Sequence, residues 1–159
     1  MTQAKKEFMQ AAIDDADAHL ADEGGGPFGA CIVKHGKVVA VAHNTVLENN
    51  DPTCHAEVNA IRAATQALKT HDLSGCEIYS TTEPCPMCFS AIHWAKIGKI
   101  IFGTRIQDAQ DLGFNELEVT NEQMKNQGKS PVILEGDFMR DECLDLYQRW
   151  KNQTSGTTY

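Results

Sequence analysis

The residues PTCHAEVNAIRAA at 52–64 and STTEPCPMCFSAI at 80–92 decide how this chain is read. Each passes from a proline-containing turn into a helix-forming series, so His55, Ala56 and Glu57 fall at one helix start and Cys85 to Cys88 at another. The three-residue spacing puts both sulfurs on one side of the first turn of a helix beginning near Pro86. Free backbone N–H groups and the helix dipole favour thiolates there. Adding His55 gives one imidazole and two thiolates. Three protein ligands with no obvious fourth is the count of a catalytic zinc site, with water in the open place. Zinc lowers the pKa of such a water towards about 7 and supplies hydroxide near neutral pH. Glu57 is the expected proton carrier, base first and acid afterwards. Positions i and i+2 of a regular helix do not face each other, so spacing alone does not assign it; the assignment rests on the helix-start location, the reach of a Glu side chain and the match of the paired motifs.

Outward from this pair of motifs, Phe8, Ala11, Ala12, Ala16 and Leu20 make an apolar stripe that predicts an amphipathic helix over 3–22, stopped by Gly24 to Gly26. Strands are expected over 30–34 and 38–43, joined at His35-Gly36-Lys37 as a hairpin ending at Asn44. Residues 45–51 read as polar and turn-rich, and Asp51-Pro52-Thr53 offers capping side chains for a helix over 55–69. A third strand over 76–80, the Cys-Pro-Met-Cys helix over 86–96 and a fourth strand over 99–103 follow. Strand, helix, strand, helix in that order implies parallel pairing with helices on the sheet faces. Residues 105–128 read as a long irregular or short-helical excursion, of the kind that is usually functional. A last strand over 131–135, a helix over 137–151 and a flexible tail over 152–159 complete one domain, with no internal repeat or linker. The expected fold is a three-layer α/β/α sandwich around a mixed sheet of about five strands.

The 159 residues, 42% of them apolar, are enough to bury a sizeable core. No apolar run approaches the roughly 20 residues of a membrane span, and the N-terminus is unlike a signal or transit peptide, so a cytoplasmic protein is expected. Fourteen Lys and Arg against 22 Asp and Glu give a formal charge of −8, which works against a phosphate backbone and for a small neutral substrate. Of six cysteines, only Cys85 and Cys88 have ligand spacing; Cys31, Cys76 and Cys143 read as small buried hydrophobes. Cys54 as a fourth ligand would make the zinc structural, but adjacent residues point apart. A thiol redox protein built on Cys85 and Cys88, or a zinc-stabilised binding module without turnover, are the rival readings.

The pairing of His-Ala-Glu with Pro-Cys-Pro-Met-Cys is the known signature of zinc nucleobase deaminases. With Gly25 to Ala30, Asn44, Asp51 to Val58, Glu83 to Cys88, Ala91 to Ala95, Leu112 to Phe114 and Tyr159, the chain resembles, over essentially its whole length, bacterial guanine deaminases of the cytidine deaminase fold. Its departures are modest, chiefly Cys54 and the Asn115-Glu116 pair. The resemblance implies one zinc per subunit on His55, Cys85 and Cys88, and Glu57 as proton shuttle. It implies Glu116 as a second catalytic acid, and Asn44, Ala56, Phe28, Trp94 and Tyr159 as substrate-binding residues. It also implies a homodimer in which the C-terminal segment can cross to the partner and cap the site. Guanine presents an N1–H and a 2-amino group side by side, and one carboxylate accepts from both; adenine and cytosine lack that edge. Cytosine, adenine in tRNA and an aminotriazine are the alternative substrates.

Overall fold

A computed structural model describes residues 2–159. Strands β1 (Gly29–Lys34), β2 (Lys37–His43), β3 (Cys76–Thr82), β4 (Lys99–Thr104) and β5 (Ile133–Glu135) form one sheet in the order β2-β1-β3-β4-β5. The β1–β2 hairpin turns on His35 and Gly36, both at positive φ (50° and 72°), the pair of left-handed residues a two-residue turn requires. β1 pairs with β3 antiparallel, whereas β3–β4 and β4–β5 are parallel, so the expected parallel pairing applies to the second half of a mixed sheet.

Alternation along the strands builds the two cores. Ala30 and Ile32 of β1, Ile78 of β3, and Ile100 and Phe102 of β4 face α3 (Ala56–Leu68) and α4 (Pro86–Trp94). Cys31, Val33, Tyr79 and Ile101 point the other way, onto Phe8, Met9, Ala12 and Ile13 of α1 (Lys6–Ala18) and Cys143 of α7 (Arg140–Gln153). β1, β3 and β4 are covered on both faces and are buried along almost their full length. The result is the expected α/β/α sandwich.

Three local expectations are corrected and one is made specific. Residues 45–51 contain a short helix, α2 (Val46–Asn49), too brief to show a period. Asp51-Pro52-Thr53 does not start α3; His55 is its N-cap, and the Asp51 carboxylate closes a turn on the Thr53 N–H and hydroxyl (2.8 and 2.7 Å). The excursion over 105–128 is short-helical, as one of its two readings had it, with α5 (Ile106–Leu112) and α6 (Asn121–Gly128) and residues 113–120 between them. The tail does not begin at 152: α7 runs to Gln153, and the last residues fold back over their own chain.

α1 lies so close to β1 that a Cβ at Gly29 would stand 2.9 Å from the Ala12 carbonyl carbon and 3.2 Å from the Ala16 Cβ. Backbone cannot move aside as a side chain can, so Gly29→Ala is expected to destabilise the protein by about 1–3 kcal/mol, read as a lower denaturant midpoint at unchanged slope.

Candidate active site

Two helix N-caps meet across the sheet edge. His55 (φ −66°, ψ 155°) precedes α3, Cys85 (φ −64°, ψ 168°) precedes α4 with Pro86 at its first position, and neither side chain caps its own helix. They turn towards each other instead. The His55 Nδ1 lies 3.6 Å from the Cys85 Sγ and 3.5 Å from the Cys88 Sγ, and all three donor atoms fall within 4.8 Å of one another. A tetrahedral ion with a nitrogen at about 2.0 Å and a sulfur at about 2.3 Å separates those two atoms by about 3.5 Å, so the donor set fits zinc in both chemistry and dimensions. Cys54 is buried beside Asn49 (3.6 Å) and Arg62 (3.5 Å) and does not join the trio. Cys31, Cys76 and Cys143 are buried as expected, and burial pushes the Cys31 and Cys143 thiols up to about 12.

The electrostatics suit a cation. The thiol hydrogen bond from Cys88, opposed by burial and helped by His55, lowers Cys85 to about 4. Burial alone would lower His55, yet its contact with Cys85 and the charge of Glu57 outweigh that and hold it above its usual value. Glu57, 6% exposed, is raised, first by burial. Its Oε1 lies 3.0 Å from the Ser80 hydroxyl, which also lies 2.6 Å from the Thr82 carbonyl. One hydroxyl carries one proton. When Glu57 is protonated it donates to Ser80 and Ser80 donates to Thr82; when Glu57 is ionised Ser80 turns to donate to it. The carboxyl therefore has a partner in both protonation states, as a group that gains and loses a proton needs.

Above the trio opens a cavity of about 330 Å³ lined by His55, Glu57 and Cys85 and by four of the other expected residues, Phe28, Asn44, Glu116 and Tyr159. Asn44 is 3% exposed, and its Oδ1 accepts from the Val46 N–H (3.1 Å) and the Tyr159 hydroxyl (2.7 Å). The Val46 N–H can only donate, which fixes the oxygen and leaves the Nδ2 end of the amide for a ligand acceptor. Tyr159 is held from its own chain: its hydroxyl accepts from the Gly26 N–H (3.0 Å), and its terminal oxygen accepts from the Asn115 N–H (2.9 Å). Phe28 meets Phe114 edge to face at 4.9 Å. Glu116 is half-buried and pushed up to about 7, first by burial and then by the negative Cys85 and Glu57.

Two expected residues are elsewhere. Ala56 is fully buried in the core between α3 and the sheet, so its side chain is not part of the cavity wall. Trp94, the last residue of α4, is 79% exposed and does not line the cavity of its own chain. Residues not anticipated as site residues include Ser80, Thr82, Glu83, Phe114 and Leu117. Among the described residues the wall carries three carboxyl groups, Glu57, Glu83 and Glu116, and no Lys or Arg.

A second trio, Asp15, His19 and His43, also brings possible ligands together. Its imidazoles stack 3.8 Å apart with their planes within 10°, and His43 Nδ1 bonds Asp15 at 2.8 Å. Lone pairs in nearly parallel planes do not converge on one ion, so this trio reads as a packed polar cluster.

A buried carboxyl thus lies beside a histidine and two cysteines that together could hold a metal ion. The chain belongs to the cytidine and deoxycytidylate deaminase family: residues 2–104 match its zinc-binding region. It is 38% identical over 152 residues to the guanine deaminase of Bacillus subtilis, covering 96% of this chain and 97% of that one. It is 45% identical over 98 residues to the tRNA-specific adenosine deaminase of Aquifex aeolicus, covering 62% of this chain and 64% of that one. Among solved structures, guanine deaminase from Nitrosomonas europaea superposes with a TM-score of 0.83 at 26% identity, covering 96% of this chain and 87% of that one. The protein is a deaminase of this superfamily. Among the described residues no helix is long and apolar enough to cross a membrane.

Removing the Ser80 hydroxyl takes from Glu57 its side-chain hydrogen-bond partner on β3. Ser80→Ala is expected to lower turnover by about 10-fold or more at unchanged metal content, measured by ammonia release and metal analysis.

Proposed function

We propose that the protein hydrolyses guanine to xanthine and ammonia, with one zinc per chain held by His55, Cys85 and Cys88. The observation that carries the substrate choice is Glu116, a half-buried carboxyl on the wall of the cavity that also holds Glu57 and the metal trio. Ionised, it accepts from guanine N1–H and the 2-amino group together and holds C2 towards the trio. The Asn44 amide donates from Nδ2 to an acceptor on the ring, while Phe28 and Phe114 supply apolar walls and Tyr159 closes the mouth against water. When bound, zinc acts as a Lewis acid that makes a water nucleophilic near neutral pH. Glu57 takes one proton as a water adds to C2 and passes it to the ring nitrogen; it then takes the proton of the new C2 hydroxyl and gives it to the amino group, so that the C2–N bond breaks, ammonia leaves and the carbonyl of xanthine forms. Ser80 partners the carboxyl throughout.

The acidic wall supports a free base over a nucleotide or tRNA, because phosphates would meet carboxylates and no Lys or Arg. Among tRNA-specific adenosine deaminases, the 45% identity to that of Aquifex aeolicus covers 62% of this chain, and matches that reach 92% of it fall to 30%, against 38% over 96% for the guanine deaminase. The proposal extends to a cytoplasmic homodimer. Trp94 is 79% exposed, and Met87 and Leu117 are exposed apolar residues at the cavity mouth, which suits burial against a second copy. Only in such a pair does Trp94 reach a cavity, that of the neighbour, and the tail acts in cis or exchanges there.

On a panel of free bases and tRNA, ammonia release is expected fastest from guanine; preference for cytosine or tRNA overturns the substrate reading. Glu57→Gln is expected to cut kcat by at least about 100-fold with zinc retained. Glu116→Gln, which loses one acceptor to a charged-group hydrogen bond, is expected to lower kcat/KM for guanine by about 10- to 100-fold. Full activity of either variant contradicts its assigned role.

A further inference from the structure

Glu83 is 4% exposed and lies on the cavity wall, yet both its carboxylate oxygens are committed to backbone. Its Oε2 accepts from the N–H of Ile106 (3.1 Å) and its Oε1 from the N–H of Asn121 (2.8 Å), the first residues of α5 and α6. The grip is mutual. The Glu83 N–H donates to the Thr104 carbonyl (2.7 Å), and the Asn121 side-chain amide donates to the Pro84 carbonyl (2.6 Å). Residues 83 and 84 thus tie down the entries of two helices that are far apart in sequence.

The chain between those helices is residues 113–120, which place Phe114, Asn115, Glu116 and Leu117 on the cavity wall. Phe114 anchors its first half against Phe28, Trp150 and Tyr159, and Asn115 bonds Tyr159. Glu116 lies between that anchor and the start of α6, so where the segment ends is set by the entries of α5 and α6. Two residues after Glu83 comes Cys85, with Pro84 and Pro86 restricting the backbone on either side. One buried carboxylate links the turn that supplies two metal-binding sulfurs to the segment that supplies Glu116.

We propose that Glu83 is a positioning residue for base selection: it sets Glu116 at the distance from Cys85 at which a purine bound to Glu116 presents C2 to the metal trio. The inference rests on the reading of Glu116 given above. A carboxylate suits the task because it offers two acceptors and no donor, and both its partners are donors. In Glu83→Gln one N–H of that pair faces an amide NH₂, so one helix entry loses its partner and the segment shifts.

The test is a double-mutant cycle on zinc-loaded protein, comparing wild type, Glu83→Gln, Glu116→Gln and the double variant by kcat/KM for guanine and by metal content. Expected is a fall of about 10-fold for Glu83→Gln, mostly in KM, with zinc retained. In the Glu116→Gln background the same change is expected to cost less than about 2-fold, because the group it positions is already disabled. Equal factors in both backgrounds indicate a general structural role and overturn the proposal, as does loss of zinc in Glu83→Gln. Unchanged kcat/KM in Glu116→Gln alone identifies the substrate reading as the failure and removes the proposal with it. If Glu83→Gln does not fold, Asn121→Ala, which deletes only the amide bond to Pro84, takes its place in the cycle with the same criterion of non-additivity.

Discussion

Two helices begin where one imidazole and two sulfurs must meet, and most of the architecture follows from that convergence. The first turns of α3 and α4 bring His55, Cys85 and Cys88 together, with His55 Nδ1 3.5 to 3.6 Å from the two sulfurs. Polar caps would satisfy the helix ends locally; these residues spend their side chains on each other instead. The sheet provides the rigidity this requires, because β3 and β4 are buried along their whole length and α3 and α4 share one core against it. Donors held at the spacing of a tetrahedral ion cost little reorganisation when the ion binds.

Negative groups accumulate around this point. Glu57, Glu83 and Glu116 share one cavity, and burial raises both Glu57 and Glu116. Such crowding is unfavourable by itself and is the arrangement expected where a buried cation is part of the site. The three carboxyls divide the work by their partners. Glu57 faces Ser80 and can exchange a proton, Glu83 is spent on two backbone N–H groups, and Glu116 has the wall position with its oxygens open to a ligand. An acidic cavity of this kind favours a neutral base with donors on its edge over anything carrying phosphate.

Much of the frame was legible in the sequence because its signals are local. The short apolar runs of β1 and β4, the His35-Gly36 turn, and the helices after His55 and Cys85 all follow from short-range pattern, as did the metal trio. The misses have physical reasons. α2 has four residues, and α6, with the sequence NEQMKNQG, has no apolar stripe; only Thr120 with Gln123, a reciprocal cap seen in the structure, announces it. Asn44, Glu116 and Tyr159 meet through tertiary folding and have no shared spacing, so resemblance rather than pattern singled them out. That same resemblance also named Ala56, whose small side chain lies in the core, and Trp94, which ends a helix facing away from the cavity of its own chain. Glu83 escaped notice because its partners are backbone groups 23 and 38 residues away.

The most direct test of this account is X-ray absorption at the zinc edge of the purified, chelator-free protein. The account predicts two sulfur scatterers at about 2.3 Å and two lighter atoms at about 2.0 Å, one from His55 and one from solvent. Three or four sulfurs, which would bring in Cys54, or protein that binds no zinc at all, would contradict it.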